Sequence, residues 1–421
     1  MRSKKMSNQL LYAGRSIEDD KAFRTRIGST RIDGLKGLGI DIIPRWPIEE
    51  RFRQGACPLN CAFCYQQKGG TTMTLATYRR VATEAAEAGL RAIYVLGGEP
   101  LGHPDILEIM RIAVDKFDEI ILVSNSVGFA DREFLGRFAT AVDLRKVLLV
   151  ARRHIYRLDG KYMESDRRLH ERIVRQRMIG GNHGLDAINQ AWDNIIQIWP
   201  NHKICVQCNP MRPWVGFTPI IYRWALEMNF ADCVIEAVRS GAEYQRGYPW
   251  RQDSRGLDLS PQEMRELFEE LARIDKEFGV PITPGACKPA WRNPCSLPFN
   301  SAHIDPDGNV LACGGMPSPY GNIYSGRTLN EILESPKKAI FMYPEKWIAG
   351  PCSACEIRGY CRFGCRAEAY RAFQQYGVQC YRASDPYCWR HPAGLPPEAF
   401  YPQSCAGCPL EEDPTCHLTA G

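Results

Sequence analysis

The sequence predicts an α/β fold: a partial (β/α)6 TIM-like barrel followed by a smaller, cysteine-rich C-terminal domain. Three observations predict it. From about residue 46 to residue 237, short apolar runs alternate with segments of helical spacing, as strand–helix units of a parallel sheet do. Beyond Val280-Pro281-Ile282-Thr283-Pro284 that rhythm has gone and the cysteines become dense. The chain holds 18 cysteines in 421 residues, grouped tightly and with no secretory signal ahead of them, which reads as metal ligation rather than disulfide bonding.

The length exceeds the usual single domain, so four segments are expected: a lead-in at 1–45, the barrel at 46–280, the cysteine-rich domain at 281–392 and a tail at 393–421. A charged fraction of 24% and net charge of +5 are too mild for a nucleic-acid binder, which concentrates its basic residues in a stripe. No apolar run is long enough to span a bilayer, and Met1-Arg2-Ser3-Lys4-Lys5 is not followed by a signal-type apolar segment. A cytoplasmic protein with no membrane or nucleic-acid partner is the expectation. The lead-in is charged and aperiodic, with no strand-rich module for recognising a peptide.

In chain order, Trp46 to Arg53 reads as the first strand, running into a cysteine loop. Leu75, Tyr78, Val81, Ala82, Ala85 and Ala88 fall near helical spacing within 74–89. Strands follow at 92–96, 120–123, 147–150, 204–208 and 233–237, and helices at 105–117, 131–141, 185–199 and 219–228. A further helix at 261–278 is opened by Ser260 as its cap. In barrels of this kind the chemistry lies in loops at the C-terminal ends of the strands.

The cysteine loop, Cys57-Pro58-Leu59-Asn60-Cys61-Ala62-Phe63-Cys64, falls at such an end. Three thiolates spaced C-x3-C-x2-C hold three corners of a cubane iron–sulfur cluster and leave the fourth iron open. A zinc knuckle pairs its ligands as C-x2-C with a second pair downstream, and none lies near. Directly after the next strand comes Gly97-Gly98-Glu99-Pro100. Paired glycines allow close backbone approach, and a carboxylate beside them accepts hydrogen bonds from an ammonium group. With these two motifs one strand–helix unit apart, the sequence resembles the radical S-adenosylmethionine (SAM) superfamily. The resemblance implies a [4Fe-4S] cluster on Cys57, Cys61 and Cys64, with Phe63 beside the last ligand. It implies S-adenosyl-L-methionine chelated to the open iron, its amino group held by Gly97, Gly98, Glu99 and Pro100.

Ser124-Asn125-Ser126 ends the next strand, either as a simple turn or as a polar contact near the cofactor ribose. At the fourth strand the chain departs from the family pattern, with Ala151-Arg152-Arg153-His154 where relatives carry a serine. Two arginines there grip a carboxylate or phosphate, or face solvent. Within His170-Glu171-Arg172-Ile173-Val174-Arg175, the resemblance puts Arg172 or Arg175 at the cofactor carboxylate. Cys205 and Cys208 point to opposite faces of their strand. One of them, Cys205, is a candidate hydrogen-atom donor, against a plain packing role.

Beyond the barrel, Cys295, Cys313, Cys352, Cys355, Cys361, Cys365 and then Cys380 or Cys388 match the cysteine pattern of the SPASM domain. That extension of radical SAM enzymes holds two auxiliary [4Fe-4S] clusters. The analogy assigns Cys295, Cys313 and Cys365 to one, with Cys287 as a possible upstream ligand. It assigns Cys352, Cys355 and Cys361 to the other, closed by Cys380 or Cys388, separation from Cys365 favouring Cys380. Pro306-Asp307-Gly308 marks a hairpin that carries Cys313. Cys405, Cys408 and Cys416 are left over, either as a further metal site with Cys388 or as spare thiols.

The resemblance implies an oxidoreductase-type maturase. It would cleave S-adenosylmethionine to a 5′-deoxyadenosyl radical, abstract a hydrogen atom and oxidatively modify a ribosomally made peptide, with flavodoxin or ferredoxin as electron donor. Two alternatives stand: dehydrogenation or epimerisation of a small polar metabolite such as an aminosugar, and a non-catalytic iron–sulfur electron-transfer protein. The last has no use for an open iron.

Overall fold

The computed structural model describes residues 36–43, 57, 59, 61, 63–64, 71–174, 184–236, 257, 259–280, 301–361, 363–373, 376–386, 388–392 and 394–418. The chain divides into two compact units, one built from residues 35–259 and 301–333 and the other taking in 260–300 and 334–421.

In the first unit six strands lie side by side in chain order, all parallel: β1 (Gly37–Asp41), β2 (Ala92–Leu96), β3 (Glu119–Ser124), β4 (Val147–Arg152), β5 (Ile204–Cys208) and β6 (Asp232–Ile235). On the other side of β1, β7 (Ser301–Ile304) pairs in parallel, and β8 (Asn309–Leu311) and β9 (Gly321–Asn322) follow antiparallel. Among the described residues the sheet thus begins at β6 and ends at β9 without closing, the partial barrel expected. Runs such as Ala92-Ile93-Tyr94-Val95 and Val147-Leu148-Leu149-Val150 are buried throughout, as parallel strands covered on both faces must be.

Between these strands come α1 (Leu75–Glu87), α2 (Ile106–Lys116), α3 (Arg132–Ala141), α4 (Glu164–Val174), α5 (Gly184–Ile198) and α6 (Phe217–Glu227). Helix α1 starts where the Thr74 hydroxyl accepts the Thr77 N–H, and it buries Tyr78, Val81, Ala82 and Ala85, a stripe at helical spacing. Asp131 caps α3 on the N–H groups of Glu133 and Phe134. In the second unit, α7 (Pro261–Glu277) opens with the expected Ser260, in a full capping box with Glu263. Among the described residues no helix is long and apolar enough to cross a membrane.

One strand of the sheet was not expected from the sequence. The strand expected at Trp46 to Arg53 lies outside the described residues, while β1, central in the sheet, falls within the expected lead-in. Gly37-Leu38-Gly39-Ile40-Asp41 reads weakly as a strand because glycine disfavours one. A Cβ on Gly39 would stand 3.0 Å from His303 Nδ1, so close strand–side chain packing requires the glycine. Helix α7 belongs to the second unit, and the hairpin at 301–311 adds strands to the barrel sheet rather than to the cysteine-rich unit.

Candidate active site

At the C-terminal end of the sheet, β1 and β2 are tied by their exits: Ile42 N donates to Leu96 O (3.0 Å) and Gly98 N to Ile43 O (2.8 Å). Gly97, at φ +139°, sits against that chain, and a Cβ there would stand 2.7 Å from Ile43 O and 2.9 Å from Ile43 N. The first glycine of the motif therefore serves the crossing of two backbones.

Glu99 is 3% exposed. Its Oε1 accepts from Leu101 N (3.1 Å) and Ser124 Oγ (2.7 Å), and its Oε2 from Asn125 N (2.7 Å). The carboxylate thus clamps the ends of β2 and β3 together. Burial raises its pKa, opposed by the bonds from Ser124, Asn125 and Leu101 and by the Arg152 charge. A carboxylate offers about four lone-pair sites. Three donors leave Oε2 able to take one more, as an ammonium group requires. Glu99→Gln keeps the volume but sets an amide N–H against a donor or forfeits the charge. The KM for S-adenosylmethionine is expected to rise about 10- to 100-fold, with thermal stability measured in parallel.

Cys57 and Cys61 are buried and Cys64 partly so, none of them in a disulfide. Burial, then the Glu99 charge, then the Cys61 and Cys64 sulfurs all push the Cys57 thiol up, although a backbone bond from Leu59 opposes them. The three sulfurs therefore lie within electrostatic reach of one another. Asn125 Nδ2 stands 4.0 Å from Cys57 Sγ. Three thiols on one loop, largely shielded from water and beside a carboxylate with acceptor capacity to spare, fit a cubane cluster with one open iron.

Phe63 is held edge-on by His154 (5.2 Å) and Trp214 (6.1 Å), whose rings stack at 5.0 Å and 2°. Trp214 Nε1 donates to Asn209 O (2.9 Å), and the Asn209 N–H meets His154 Nδ1 at 3.3 Å. The aromatic wall is thus braced from β5. A small cavity of about 20 Å³ lies on it, lined by Cys61, Phe63, Asn125, Arg152, His154 and His170 among others.

Arg152 and Arg153 leave β4 on opposite sides. Arg152 lines the cavity and its Nε donates to Gln207 Oε1 (3.2 Å), while Gln207 in turn donates to Glu236. Arg153 is 5% exposed. It sits over Tyr156 (4.5 Å), Trp224 (4.8 Å) and Trp192 (5.4 Å) and donates to Tyr162 and Asn189. The expectation of a paired anion grip, or of two solvent-facing arginines, is corrected: one guanidinium serves the cavity and the other an aromatic box.

On α4, His170 and Val174 face the cavity, whereas Arg172 is exposed. The resemblance named Arg172 or Arg175 for the cofactor carboxylate; Arg172 does not line this cavity, and Arg175 lies outside the described residues. Cys205 is buried on the same strand face as Gln207, but nearer the N-terminal end of β5 and not among the cavity-lining residues. Cys208 packs outward on α6, its sulfur 3.7 Å from Thr218 Oγ1. Sequence reasoning missed His154, His170 and Trp214. Two of them stood inside motifs already singled out, at Arg152-Arg153-His154 and His170-Glu171-Arg172.

Burial holds the His170 imidazole down to about 4, against a small upward pull from Asp186. The unfolded chain therefore binds the extra proton between pH 6.5 and 4. Stability is full above 6.5 and falls as pH drops through that window, by roughly 3 kcal/mol for a shift of this size. Denaturant midpoints at pH 7 and pH 4.5 are expected to differ less in His170→Asn than in the parent, and equal differences would refute the assignment.

In the second unit Cys352, Cys355, Cys361 and Cys388 line one cavity of about 430 Å³, with His391 at its rim. His391 Nε2 lies 3.8 Å from Cys352 Sγ and 2.8 Å from Asp385 O. Burial lowers the imidazole, but bonds to Cys352 and Cys388 and their charge carry it up to about 10. Four thiols around a cavity of that size fit a second cubane cluster. Cys388 lines this cavity and Cys380 does not, the Cys380 thiol meeting Cys416 instead. Cys313 is buried after β8, and Cys365 precedes the helix α8 (Arg366–Ala372). Cys287 and Cys295 lie outside the described residues.

A family model for the "Radical SAM superfamily" matches residues 53–148, and one for the SPASM "Iron-sulfur cluster-binding domain" matches residues 295–356. The chain is 37% identical over 330 residues to the PqqA peptide cyclase of Methylobacterium nodulans, covering 74% of this chain and 79% of that protein. The chain belongs to the radical SAM/SPASM family. This radical SAM/SPASM enzyme is also 23% identical over 363 residues to the AdoMet-dependent heme synthase of Methanosarcina barkeri, covering 80% of this chain and 94% of that one. In fold it is similar to Streptococcus suis SuiB, solved bound to precursor peptide SuiA, with a TM-score of 0.53 and 12% identity over 83% of this chain and 75% of that one. The non-catalytic reading is thereby set aside.

Proposed function

We propose that this radical SAM/SPASM enzyme oxidatively modifies a side chain or backbone carbon of a ribosomally made peptide. The observation that carries the reading is the 37% identity to a peptide cyclase across about three quarters of both chains. With its cluster and S-adenosylmethionine bound, the site supplies a 5′-deoxyadenosyl radical that takes a substrate hydrogen atom.

The chain's own residues would do the rest. Cys57, Cys61 and Cys64 hold the cluster, and Glu99 receives the cofactor amino group on Oε2. Arg152, inside the cavity and within electrostatic reach of Glu99, is the cation we assign to the cofactor carboxylate in place of Arg172. Phe63, braced by His154 and Trp214, excludes water from the sulfonium. Asn125 orders the turn beyond β3, its Oδ1 accepting the Val127 N–H at 2.9 Å. Two auxiliary clusters would accept the electron left on the substrate. One would sit in the Cys352, Cys355, Cys361 and Cys388 ring. A flavodoxin or ferredoxin would reduce the first cluster.

The test is 5′-deoxyadenosine formation by anaerobically reconstituted, reduced protein given host extract split into peptide-sized and low-mass fractions. Stimulation by the peptide fraction, with a mass change on a genetically encoded peptide, is expected. Stimulation by the low-mass fraction alone would overturn the substrate class in favour of a small polar metabolite.

A further inference from the structure

The tail cysteines are not spare. Strands β10 (Val378–Gln379) and β11 (His417–Leu418) are antiparallel, with Gln379 opposite His417. One step further along that register, Cys380 faces Cys416. Between them in sequence, Cys405 and Cys408 form a tight turn in which Cys408 N donates to Cys405 O at 3.0 Å. Cys380, Cys408 and Cys416 are buried, Cys405 partly so, and all four are free thiols. The Cys380 thiol is in hydrogen-bonding contact with the sulfurs of both Cys416 and Cys405, and Cys408 lies within electrostatic reach of Cys405 and Cys416.

Donor groups and one cation surround the sulfurs. Leu410 N points at Cys408 Sγ at 3.5 Å. The backbone N–H groups of Tyr381 and Arg382 donate to the sulfurs of Cys416 and Cys380. The Arg382 guanidinium, fixed on Trp347 O (2.9 Å) and Ser404 O (2.8 Å), brings a positive charge to Cys405, Cys408 and Cys416. The loop is held by Lys337 on the buried Asp413 (2.6 Å), whose carbonyl accepts the Cys416 N–H at 2.9 Å. Backbone donors aimed at sulfur and a nearby cation are what a tetrathiolate ion with net negative charge needs around it.

We propose that Cys380, Cys405, Cys408 and Cys416 bind one zinc ion, a structural site distinct from the iron–sulfur ring of Cys352, Cys355, Cys361 and Cys388. The pairing of the ligands decides between ion and cluster. Cys405-x2-Cys408 is one pair of the kind structural zinc sites use, and the register of β10 on β11 supplies Cys380 and Cys416 as the second. A cubane spreads its thiolates over separate iron corners, as the open 430 Å³ ring permits. Among the described residues no three ligands yet converge on one point, so the ion would draw the thiols in by side-chain rotation, each losing its proton. Because Cys388 lies between Cys380 and Cys405 in sequence, the zinc would pin both flanks of the segment that supplies the fourth ligand of the ring.

The experiment is metal analysis of the full-length, anaerobically purified protein, with single serine variants. The parent is expected to hold one equivalent of zinc besides its iron. Cys405→Ser, Cys408→Ser and Cys380→Ser should each lose the zinc and keep the iron. Cys388→Ser should keep the zinc and lose about four irons. Protein grown with cobalt reads the thiolate set without any substitution, and a tetrahedral cobalt–thiolate spectrum is expected. The proposal is overturned by parent protein without zinc, by a Cys380–Cys416 disulfide in its place, by Cys380→Ser losing iron as Cys388→Ser does, or by Cys408→Ser losing about four irons.

Discussion

Replacing Cys57, Cys61 and Cys64 together by alanine is expected to bring 5′-deoxyadenosine formation to background, while the C-terminal ring keeps its iron. Among the described residues no other thiol lines the cavity, and the imidazoles of His154 and His170 cannot replace three thiolates on one loop. Phe63, Leu59 and Asn125 are the described groups nearest at hand in the cavity, and none is a thiolate. The folded chain should tolerate the change. Each thiol is small, and the Cys57 thiol is destabilised as a thiolate by burial and by Glu99, so removing it relieves a repulsion. The iron count should drop by about four with the far-ultraviolet dichroism unchanged. Turnover persisting in the triple variant would mean that the cofactor is bound and split elsewhere, and the assignment of this loop would fall.

What could be read from the chain and what could not divide along a physical line. Strands β2 to β6 announce themselves because a parallel strand buried on both faces is an uninterrupted apolar run, and Ile120-Ile121-Leu122-Val123 admits no other reading. The cysteine loop and Glu99 were legible because ligand spacing is local. The failures are all non-local. Strand β1 carries two glycines, of which Gly39 packs closely on His303, a residue more than 250 positions away, so its composition argues against a strand. Arg152 and Arg153 look like a pair in sequence, yet strand alternation sends them to opposite faces, and only the aromatic residues from α5 and α6 show where Arg153 goes. The choice of His170 over Arg172 as the cavity-facing residue depends on how α4 is turned, after an insertion of unknown geometry. Cys380 and Cys388 are equally plausible by counting. The register of β10 on β11 separates them, because it delivers Cys380 to Cys416 and leaves Cys388 for the ring.

Gly97→Ala is the substitution expected to harm folding most, and the reason is not the one its motif suggests. At φ +139° an L-residue is strained whatever space surrounds it, by about 1–3 kcal/mol. Here the space is also taken: the new Cβ would meet Ile43 O at 2.7 Å and Ile43 N at 2.9 Å, backbone atoms with no rotamer to escape into. Moving Ile43 away would break the bond from Gly98 N to Ile43 O and disturb the one from Ile42 N to Leu96 O, which join the exits of β1 and β2 in the middle of the sheet. Overpacking adds about 1–3 kcal/mol, so a total loss of roughly 4 kcal/mol is expected, a large part of the stability of a typical domain. Glu99→Gln, two residues on, should leave the denaturant midpoint far less changed while raising the KM for S-adenosylmethionine. If Gly97→Ala instead folded as stably as the parent and lost only cofactor affinity, the first glycine would be acting on the ligand and the tight crossing of β1 and β2 would be wrong. The two variants together therefore separate the part of the motif that builds the sheet from the part that meets the cofactor.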